Sequence, residues 1–192
     1  MASQRRNCFI SYHHNSDYKY LKQLRTKLGG RTFSDYGFND ENLEESSKRH
    51  IAKKIQFRIW ASSITIVLVG EETGNSDWVD WEIWYSLREI IHLKTPRRKF
   101  KPKGILAIFL PVKNHNIPKR LQQNLDSNYA KKIYWDDIEN SFDKLITETY
   151  ENRKNIEKIK NSESTLKINP QKNKVVEYFN KIFNFSYKFN FI

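Results

Sequence analysis

The sequence predicts a doubly wound α/β fold, in which helices cover both faces of a mostly parallel sheet. One observation is the apolar run Ile64–Val69, whose β-branched residues are typical of a strand buried on both faces. A second is that Gly70 ends this run and Ser76 then opens a segment whose apolar residues recur at helical spacing. A third is the alternation of strand-like and helix-like segments along residues 1–150, which favours parallel strands joined by helices.

The elements before the apolar run each carry a local signal. Cys8–Tyr12 is predicted as the first strand, and Asp17 as the cap of a helix with an apolar inner face. The glycine pair at 29–30 ends that helix. Residues 32–33 form a short second strand, and the polar loop of residues 34–45 has a length typical of functional loops.

The remaining elements continue the alternation. Ser46 or Ser47 is predicted to cap a second helix, and the apolar spacing after Ser76 predicts a third that runs to Ile91. We predict the fourth and fifth strands at Gly104–Leu110 and Ile133–Trp135, and a last helix capped by Asp136 or Asp137. Together these elements predict a flavodoxin-like fold with a central sheet of five strands.

Residues 151–192 are predicted as a basic linker and an aromatic extension that follow the α/β domain of residues 1–150. Aromatic and polar residues alternate from Phe183 to Phe191, and a period of two indicates a strand with one aromatic face. Such a strand can pair with an edge of its own sheet or across a subunit boundary. Because helices already cover the faces of the sheet, we expect the subunit contact, and hence a homo-oligomer.

The chain of 192 residues carries a formal net charge of +12, and its densest basic cluster lies at residues 94–103. Such a cluster could steer an anion, such as a dinucleotide or a nucleic acid, towards the protein. Abundant Lys, Asn and Ile also indicate a coding bias towards A and T, in which case the lysines are simply solvated. Since no recognised nucleic-acid motif accompanies the charge, we do not expect a nucleic-acid partner.

Cysteine usage and hydropathy indicate the cellular environment of the protein. Cys8 is the single cysteine, which rules out an internal disulfide and fits a reducing, cytoplasmic environment. Without paired histidine spacing, no metal site is expected. The apolar run after Arg6 is broken by Ser11, so we expect no signal peptide, and no apolar stretch is long enough to predict a membrane span.

Three segments are predicted to meet at the carboxyl edge of the sheet. They are residues 11–14 after the first strand, the loop from Ser34, and the turn that carries Ser76, Trp78 and Glu82. In open parallel sheets, ligands bind in the crevice outside the carboxyl ends of the strands. The sequence therefore predicts a site here, with Glu82 in the second turn of a helix that begins at its rim.

These segments resemble the TIR domain, and specifically the bacterial TIR-like proteins of Thoeris antiphage defence. The resemblance is carried by FISYHH at 9–14, ITIVLVGEET at 64–73 and, above all, SDWVDWEI at 76–83. It extends from Asn7 to about Tyr134. The motifs are moderately specific in combination, and the resemblance implies the TIR fold.

The resemblance implies that Glu82, the glutamate of a Ser-x-Trp-x-x-x-Glu motif, is the catalytic residue of an NAD nucleosidase or ADP-ribosyl cyclase. It also implies a substrate cleft at the end of the first strand and around the motif. The substrate-binding residues are then Phe9, Ser11, Tyr12, His13, Ser76 and Trp78. Many relatives have Cys where this chain has Val79, a difference that the defence branch shares. NAD is the substrate, so no separate cofactor is implied.

The chemistry of such a site is compatible with a single carboxylate. Nicotinamide is attached to ribose as a cationic ring and leaves as a neutral molecule, so its departure needs no general acid. An anion beside the ribose stabilises the oxocarbenium-like transition state. Water would then give ADP-ribose, and a nucleophile of the same nucleotide would give a cyclic isomer. The resemblance further implies a phage-derived trigger and an effector protein that senses the diffusible product.

Each of these residues also has an ordinary structural interpretation. Glu82 could be a surface acid stabilised by the helix dipole, Trp78 a packing residue, and Phe9 part of the core. A second class of function is a non-catalytic TIR module that acts by self-association or as an adaptor. A third is a phosphate-receiving domain, which would need clustered acids at the end of the first strand, where this chain has residues 11–14.

Overall fold

The computed structural model describes residues 5–28, 33–35, 48–92, 99–163 and 187–189. The strands are β1 (Arg6–Ser11), β2 (Phe33–Asp35), β3 (Ile64–Val69), β4 (Ile90–His92), β5 (Lys99–Phe100), β6 (Gly104–Phe109), β7 (Lys131–Tyr134) and β8 (Tyr187–Phe189). The α-helices are α1 (His14–Leu28), α2 (Lys48–Ala61), α3 (Asp77–Ser86), α4 (Lys119–Asp126) and α5 (Ile138–Asn152). Short 3₁₀ turns lie at Thr73–Asn75, Trp135–Asp137 and Ile156–Lys158.

The central sheet is parallel, in the order β2-β1-β3-β6-β7. Its body is formed by β1, β3, β6 and β7, and the three residues of β2 pair along the outer edge of β1. Every residue of β3 and β6 is buried, as expected of strands covered on both faces. Because β2 and β3 lie on opposite sides of β1, the order of the strands reverses there. This reversal opens a crevice beside the carboxyl ends of β1 and β3.

Helices cover both faces of this sheet, which confirms the predicted α/β class. On one face, α1 and α5 pack against Cys8, Ile10 and the even-numbered residues of β3 and β6. On the other face, α3 and α4 pack against the odd-numbered residues of β3 and β6, and α2 packs with α3 over Phe9. In the described parts of the chain, no helix combines the length and apolar character needed to cross a membrane.

Several element boundaries differ from the sequence prediction. The first helix begins at His14, so Asp17 is a buried residue of its first turn and does not cap it. The third helix ends at Ser86, although apolar spacing continues to Ile91, because Ile90 and Ile91 belong to β4. The prediction placed no helix at α4. The loop 36–45 and the proposed stops and caps at 29–30 and 46–47 lie outside the described residues.

A second, antiparallel sheet has the order β5-β4-β8. In it, Tyr187–Phe189 of the aromatic extension pairs with Ile90–His92 of the same chain. Residues 187–189 therefore form a strand, as the alternation of aromatic and polar residues predicts. These three residues pair with β4 and not with the central sheet. The oligomeric state stays a prediction.

The chain beyond α5 returns to α3 and α4. Asn161 Nδ2 donates to the backbone oxygen of Trp84 at 3.1 Å, and its Oδ1 accepts from Arg120 Nη1 at 2.7 Å. Arg120 is 2% exposed and also donates through Nε to Asp80 Oδ1 at 3.0 Å. The amide of Asn124 donates to the backbone oxygen of Lys160 at 2.7 Å. Residues 160–163 thus brace the helix that carries Glu82, beyond the predicted boundary at residue 150.

Replacing Asn161 by alanine is expected to lower the free energy of unfolding by about 1 to 3 kcal/mol. The variant loses two hydrogen bonds and leaves part of the buried Arg120 guanidinium without its acceptor. Chemical denaturation monitored by tryptophan fluorescence measures the change. Glu163→Ala removes an exposed ion pair with Lys119 and a 3.3 Å hydrogen bond from Gln123, so its unfolding midpoint should lie close to that of the wild type. Equal midpoints for both variants would show that the returning segment does not brace α3.

Candidate active site

Ser76 sets the start of α3. Its side chain accepts a hydrogen bond from the backbone N–H of Val79 at 3.3 Å, which confirms the predicted N-cap. Helical spacing then places Trp78 and Glu82 on the same side of α3, four residues apart. Val79 and Ile83 face the sheet and belong to the core between α3 and the odd-numbered residues of β3 and β6. The helix is therefore held rigidly over the crevice.

The carboxyl of Glu82 meets the end of β1. Ser11 Oγ donates to Glu82 Oε2 at 2.5 Å, across 71 positions of sequence. Ser11 is 1% exposed and Glu82 is 8% exposed. Among the described residues, no cationic side chain forms an ion pair with Glu82. Burial raises the pKa of Glu82 to about 8, and the hydrogen bond from Ser11 acts in the opposite direction.

Two further hydroxyls lie beneath Glu82. Ser86 Oγ donates to the backbone oxygen of Glu82 at 2.7 Å, and Thr65 Oγ1 lies 2.7 Å from Ser86 Oγ. Both residues are fully buried. Sequence reasoning missed them, although two signals were present. Thr65 is the one polar residue in the apolar run of β3, and Ser86 follows Glu82 by one helical turn.

The loop after β1 forms its own hydrogen-bond network. His13 Nδ1 lies 2.9 Å from Ser16 Oγ and accepts from the backbone N–H of Ser16 at 3.4 Å. Ser16 Oγ donates to Oδ1 of the buried Asp17 at 2.9 Å. Thr73 Oγ1, which lies 3.4 Å from Asp17 Oδ2, accepts from the backbone N–H of Gly70 at 2.7 Å. The network joins the carboxyl ends of β1 and β3 at the rim of the crevice.

Gly70 makes the close approach of these two loops possible. A Cβ atom at this position would lie 2.7 Å from Asp17 Oδ1 and 3.1 Å from its carboxyl carbon. Any other residue would displace the buried carboxylate from the end of β3. The glycine that ends the apolar run is thus required by packing.

An aromatic cluster surrounds the base of the site. Phe9 is 1% exposed and packs with Trp81 and Tyr85. The rings of Trp81 and Tyr85 stack with centroids 5.5 Å apart, and Trp78, which is half-buried, meets Trp81 edge-on at 5.8 Å. Trp78 therefore lies at the mouth of the cluster. Phe9 lies inside it, in contact with core side chains.

The structure does not bring Tyr12 to Glu82. Its ring packs against the core on the α1 face, stacked on Tyr18 with centroids 6.5 Å apart. Its hydroxyl lies 3.3 Å from His14 Nδ1. Side chains alternate along a strand, so Tyr12 follows Ile10 to one face of the sheet while Ser11 points to the other. The described residues contain no group of three or more His, Cys, Asp or Glu side chains that could hold a metal ion.

Comparison with known proteins identifies the family. A family model described as the TIR-like domain of the Thoeris protein ThsB matches residues 9–115, which include the last three residues of β1 and all of β3 and α3. The chain belongs to the Thoeris ThsB TIR-like family. The matched range begins at Phe9 and contains Ser11, the Ser76 cap and Glu82. The resemblance found from the sequence motifs is thereby confirmed.

Solved structures give more distant likenesses to this family member. One is FerB, a flavoenzyme NAD(P)H:(acceptor) oxidoreductase from Paracoccus denitrificans, at 9% identity and a TM-score of 0.41, covering 78% of this chain and 98% of that one. Another is the TIR domains of the activated Roq1 resistosome that directly recognises the pathogen effector XopQ. It has 16% identity and a TM-score of 0.39, and it covers 92% of this chain and 98% of that one.

Proposed function

We propose that this protein cleaves the bond between nicotinamide and ribose in NAD, with Glu82 as the catalytic carboxylate. The observation that carries the proposal is the burial of the Glu82 carboxyl at the carboxyl edge of a parallel sheet, where Ser11 is its hydrogen-bond donor. Membership of the Thoeris ThsB TIR-like family supports it. The crevice between β1 and β3 is the usual ligand position in such sheets.

The electrostatics of this carboxyl suit a cationic substrate. Burying a charged carboxylate without a cationic partner costs free energy. This cost is the reason that the pKa of Glu82 is raised. The nicotinamide ring of NAD carries a positive charge that spreads to the ribose as the bond breaks. Binding this charge compensates the ionised carboxylate, and the carboxylate stabilises the oxocarbenium-like transition state in return. The neutral nicotinamide then departs without a general acid.

Other residues predicted from the resemblance take different roles in this proposal. Trp78, at the mouth of the aromatic cluster, offers a ring face to the nucleotide, and His13 at the rim contributes a polar contact. Ser76 acts by starting α3 in the correct place. Ser11 acts through Glu82. We assign no substrate contact to Phe9 or Tyr12, since one is buried in the core and the other packs on the opposite face.

The product is proposed to be an ADP-ribose-type signal, in cyclic form if the closed crevice excludes water from the ribose. In the proposed pathway a phage-derived trigger starts the reaction in the cytoplasm, and an effector protein senses the diffusible product.

The test is incubation of the purified protein with NAD, alone and in lysate of infected cells, followed by mass analysis. Release of nicotinamide with ADP-ribose or its cyclic isomer supports the proposal. Intact NAD in both reactions would favour the non-catalytic TIR module.

The pH dependence of NAD cleavage follows from the raised pKa of Glu82. Below a pH of about 8 the free protein holds mainly the neutral carboxyl, and above it the carboxylate that the reaction needs. We therefore expect kcat/KM to rise roughly tenfold per pH unit on the acid side and to level off above about 8. Bound NAD favours ionisation, so the acid limb of kcat should lie at lower pH than that of kcat/KM. Steady-state rates from pH 5.5 to 9.5 measure both limbs, and a pH-independent kcat/KM would contradict the assignment.

A further inference from the structure

We propose that Ser11, Thr65 and Ser86 are positioning residues that hold Glu82 by two separate hydroxyl contacts, one to its side chain and one to its backbone. This inference rests on the proposed function, because it states how the catalytic carboxylate is oriented. The three hydroxyls come from β1, β3 and α3, and all three residues are at most 1% exposed. They join the catalytic helix to two neighbouring strands of the sheet.

The side-chain contact fixes which carboxyl oxygen remains open. Ser11 has a single hydroxyl proton, and it donates this proton to Glu82 Oε2 at 2.5 Å. Within the described parts of the chain, Oε1 accepts no hydrogen bond. The bond from Ser11 therefore restricts rotation of the carboxyl and leaves Oε1 as the oxygen available to the substrate. It also favours the charged form, since a donor to a carboxylate lowers its pKa.

The backbone contact fixes the position of α3 relative to β3. Ser86 donates its single hydroxyl proton to the backbone oxygen of Glu82. In the contact between Thr65 and Ser86, the donor must therefore be Thr65. The hydroxyl relay runs from β3 to Ser86 and then to the residue that carries the carboxyl. A hydroxyl that bonds back by one turn also bends a helix slightly. In this way β3 sets the position of the Glu82 backbone while β1 sets the direction of its side chain.

Few other polar or charged groups near Glu82 can orient its carboxyl. The cluster beneath it consists of Phe9, Ile55, Ile59, Trp81 and Tyr85, and Tyr85 is its one titratable member. On α3 itself, Asp80 is engaged with Arg120 from α4. On the β1 side, Asp17 is engaged with Ser16 and Thr73. None of these groups contributes to the shift in the pKa of Glu82: burial raises this pKa, and the hydrogen bond from Ser11 lowers it.

The decisive variant is Ser11→Ala. We expect kcat to fall roughly tenfold to a hundredfold, as for the loss of a hydrogen bond to a charged group, with little change in KM. The acid limb of kcat/KM should move to higher pH, because the bond that favours the carboxylate is gone. Ser11→Thr keeps the hydroxyl and should restore the acid limb. An unchanged kcat and an unchanged limb in Ser11→Ala would overturn the proposal.

The relay is tested by Thr65→Val against a matched control. Thr65→Val should lower kcat roughly three- to tenfold without moving the acid limb, since it disturbs the backbone and not the carboxyl. The control is Thr149→Val, which changes a fully buried threonine of α5 that lies against Gly104 at the start of β6 and whose Oγ1 has no hydrogen-bond partner. This variant should keep wild-type kcat. Equal losses in the two variants would show that the effect is general to the core.

An activity-independent measurement separates this inference from the proposed function. Carbon-13 NMR of the protein labelled at the Glu side-chain carboxyl follows the titration of Glu82, which Glu82→Gln identifies by removing its signal. Ser11→Ala should raise the titration midpoint, and Thr149→Val should not. If no protein releases nicotinamide but the midpoint rises in Ser11→Ala, the proposed reaction fails and the positioning contact stands. An unmoved midpoint overturns the positioning contact whether or not NAD is cleaved.

Discussion

Replacing Glu82 by glutamine is expected to lower the release of nicotinamide from NAD by at least roughly 10² to 10³-fold, while the fold stays intact. The amide is nearly isosteric with the carboxyl and can still accept the hydrogen bond from Ser11, so the position of α3 against β1 is retained. What it loses is the negative charge that faces the developing oxocarbenium. The raised pKa of Glu82 means that the folded protein already accommodates a neutral group here at pH 7. Chromatographic assay of nicotinamide, with thermal unfolding of the same samples, measures both expectations.

A matched control is available on the same edge of the sheet. Glu71→Gln changes an exposed carboxylate in the turn after β3 and should leave the rate of cleavage at the wild-type level. A folded Glu82→Gln protein that cleaves NAD at the wild-type rate would remove Glu82 from the catalytic role. If purified wild type is inactive, the comparison is made in lysate of infected cells, where the proposed trigger is present.

The elements that position the site were predictable because their signals are local. The apolar run of β3 can be satisfied only by burial on both faces, and the Ser76 hydroxyl caps α3 as its position suggests. The carboxyl edge of a parallel sheet then places Glu82 at the crevice by topology alone. For this reason the family resemblance and the residue-level argument selected the same helix.

The parts that could not be predicted depend on contacts distant in sequence. Nothing near Glu82 indicates that its partner is Ser11, because 71 positions separate them and only the pairing of β1 with β3 brings them together. Helix α4 was missed because two of its buried residues are the polar Arg120 and Asn124, which hide the apolar period. Apolar spacing overextended α3 into β4, since Ile90 suits a strand as well as a helix.

The alternative roles of Phe9 can now be separated by stability. Phe9→Ala is expected to lower the free energy of unfolding by about 3 to 5 kcal/mol, as for other fully buried phenylalanines. Its side chain is 1% exposed and packs in a cluster with Trp81 and Tyr85 of α3 and with Ile55 and Ile59 of α2. Truncation leaves a cavity directly beneath α3 that the rigid sheet cannot close. Denaturant unfolding monitored by tryptophan fluorescence measures the change.

Two comparisons decide how the loss is interpreted. Phe57→Ala removes a ring that is 64% exposed on α2, and it should change the free energy of unfolding by at most about 0.5 kcal/mol. Phe9→Leu refills most of the cavity and should recover most of the stability. It should also recover most of the rate of NAD cleavage, because a core residue affects that rate only through the position of α3. If Phe9→Ala instead keeps wild-type stability and raises KM for NAD, the ring contacts the nucleotide. Phe9 would then return to the substrate-binding set that the family resemblance implies.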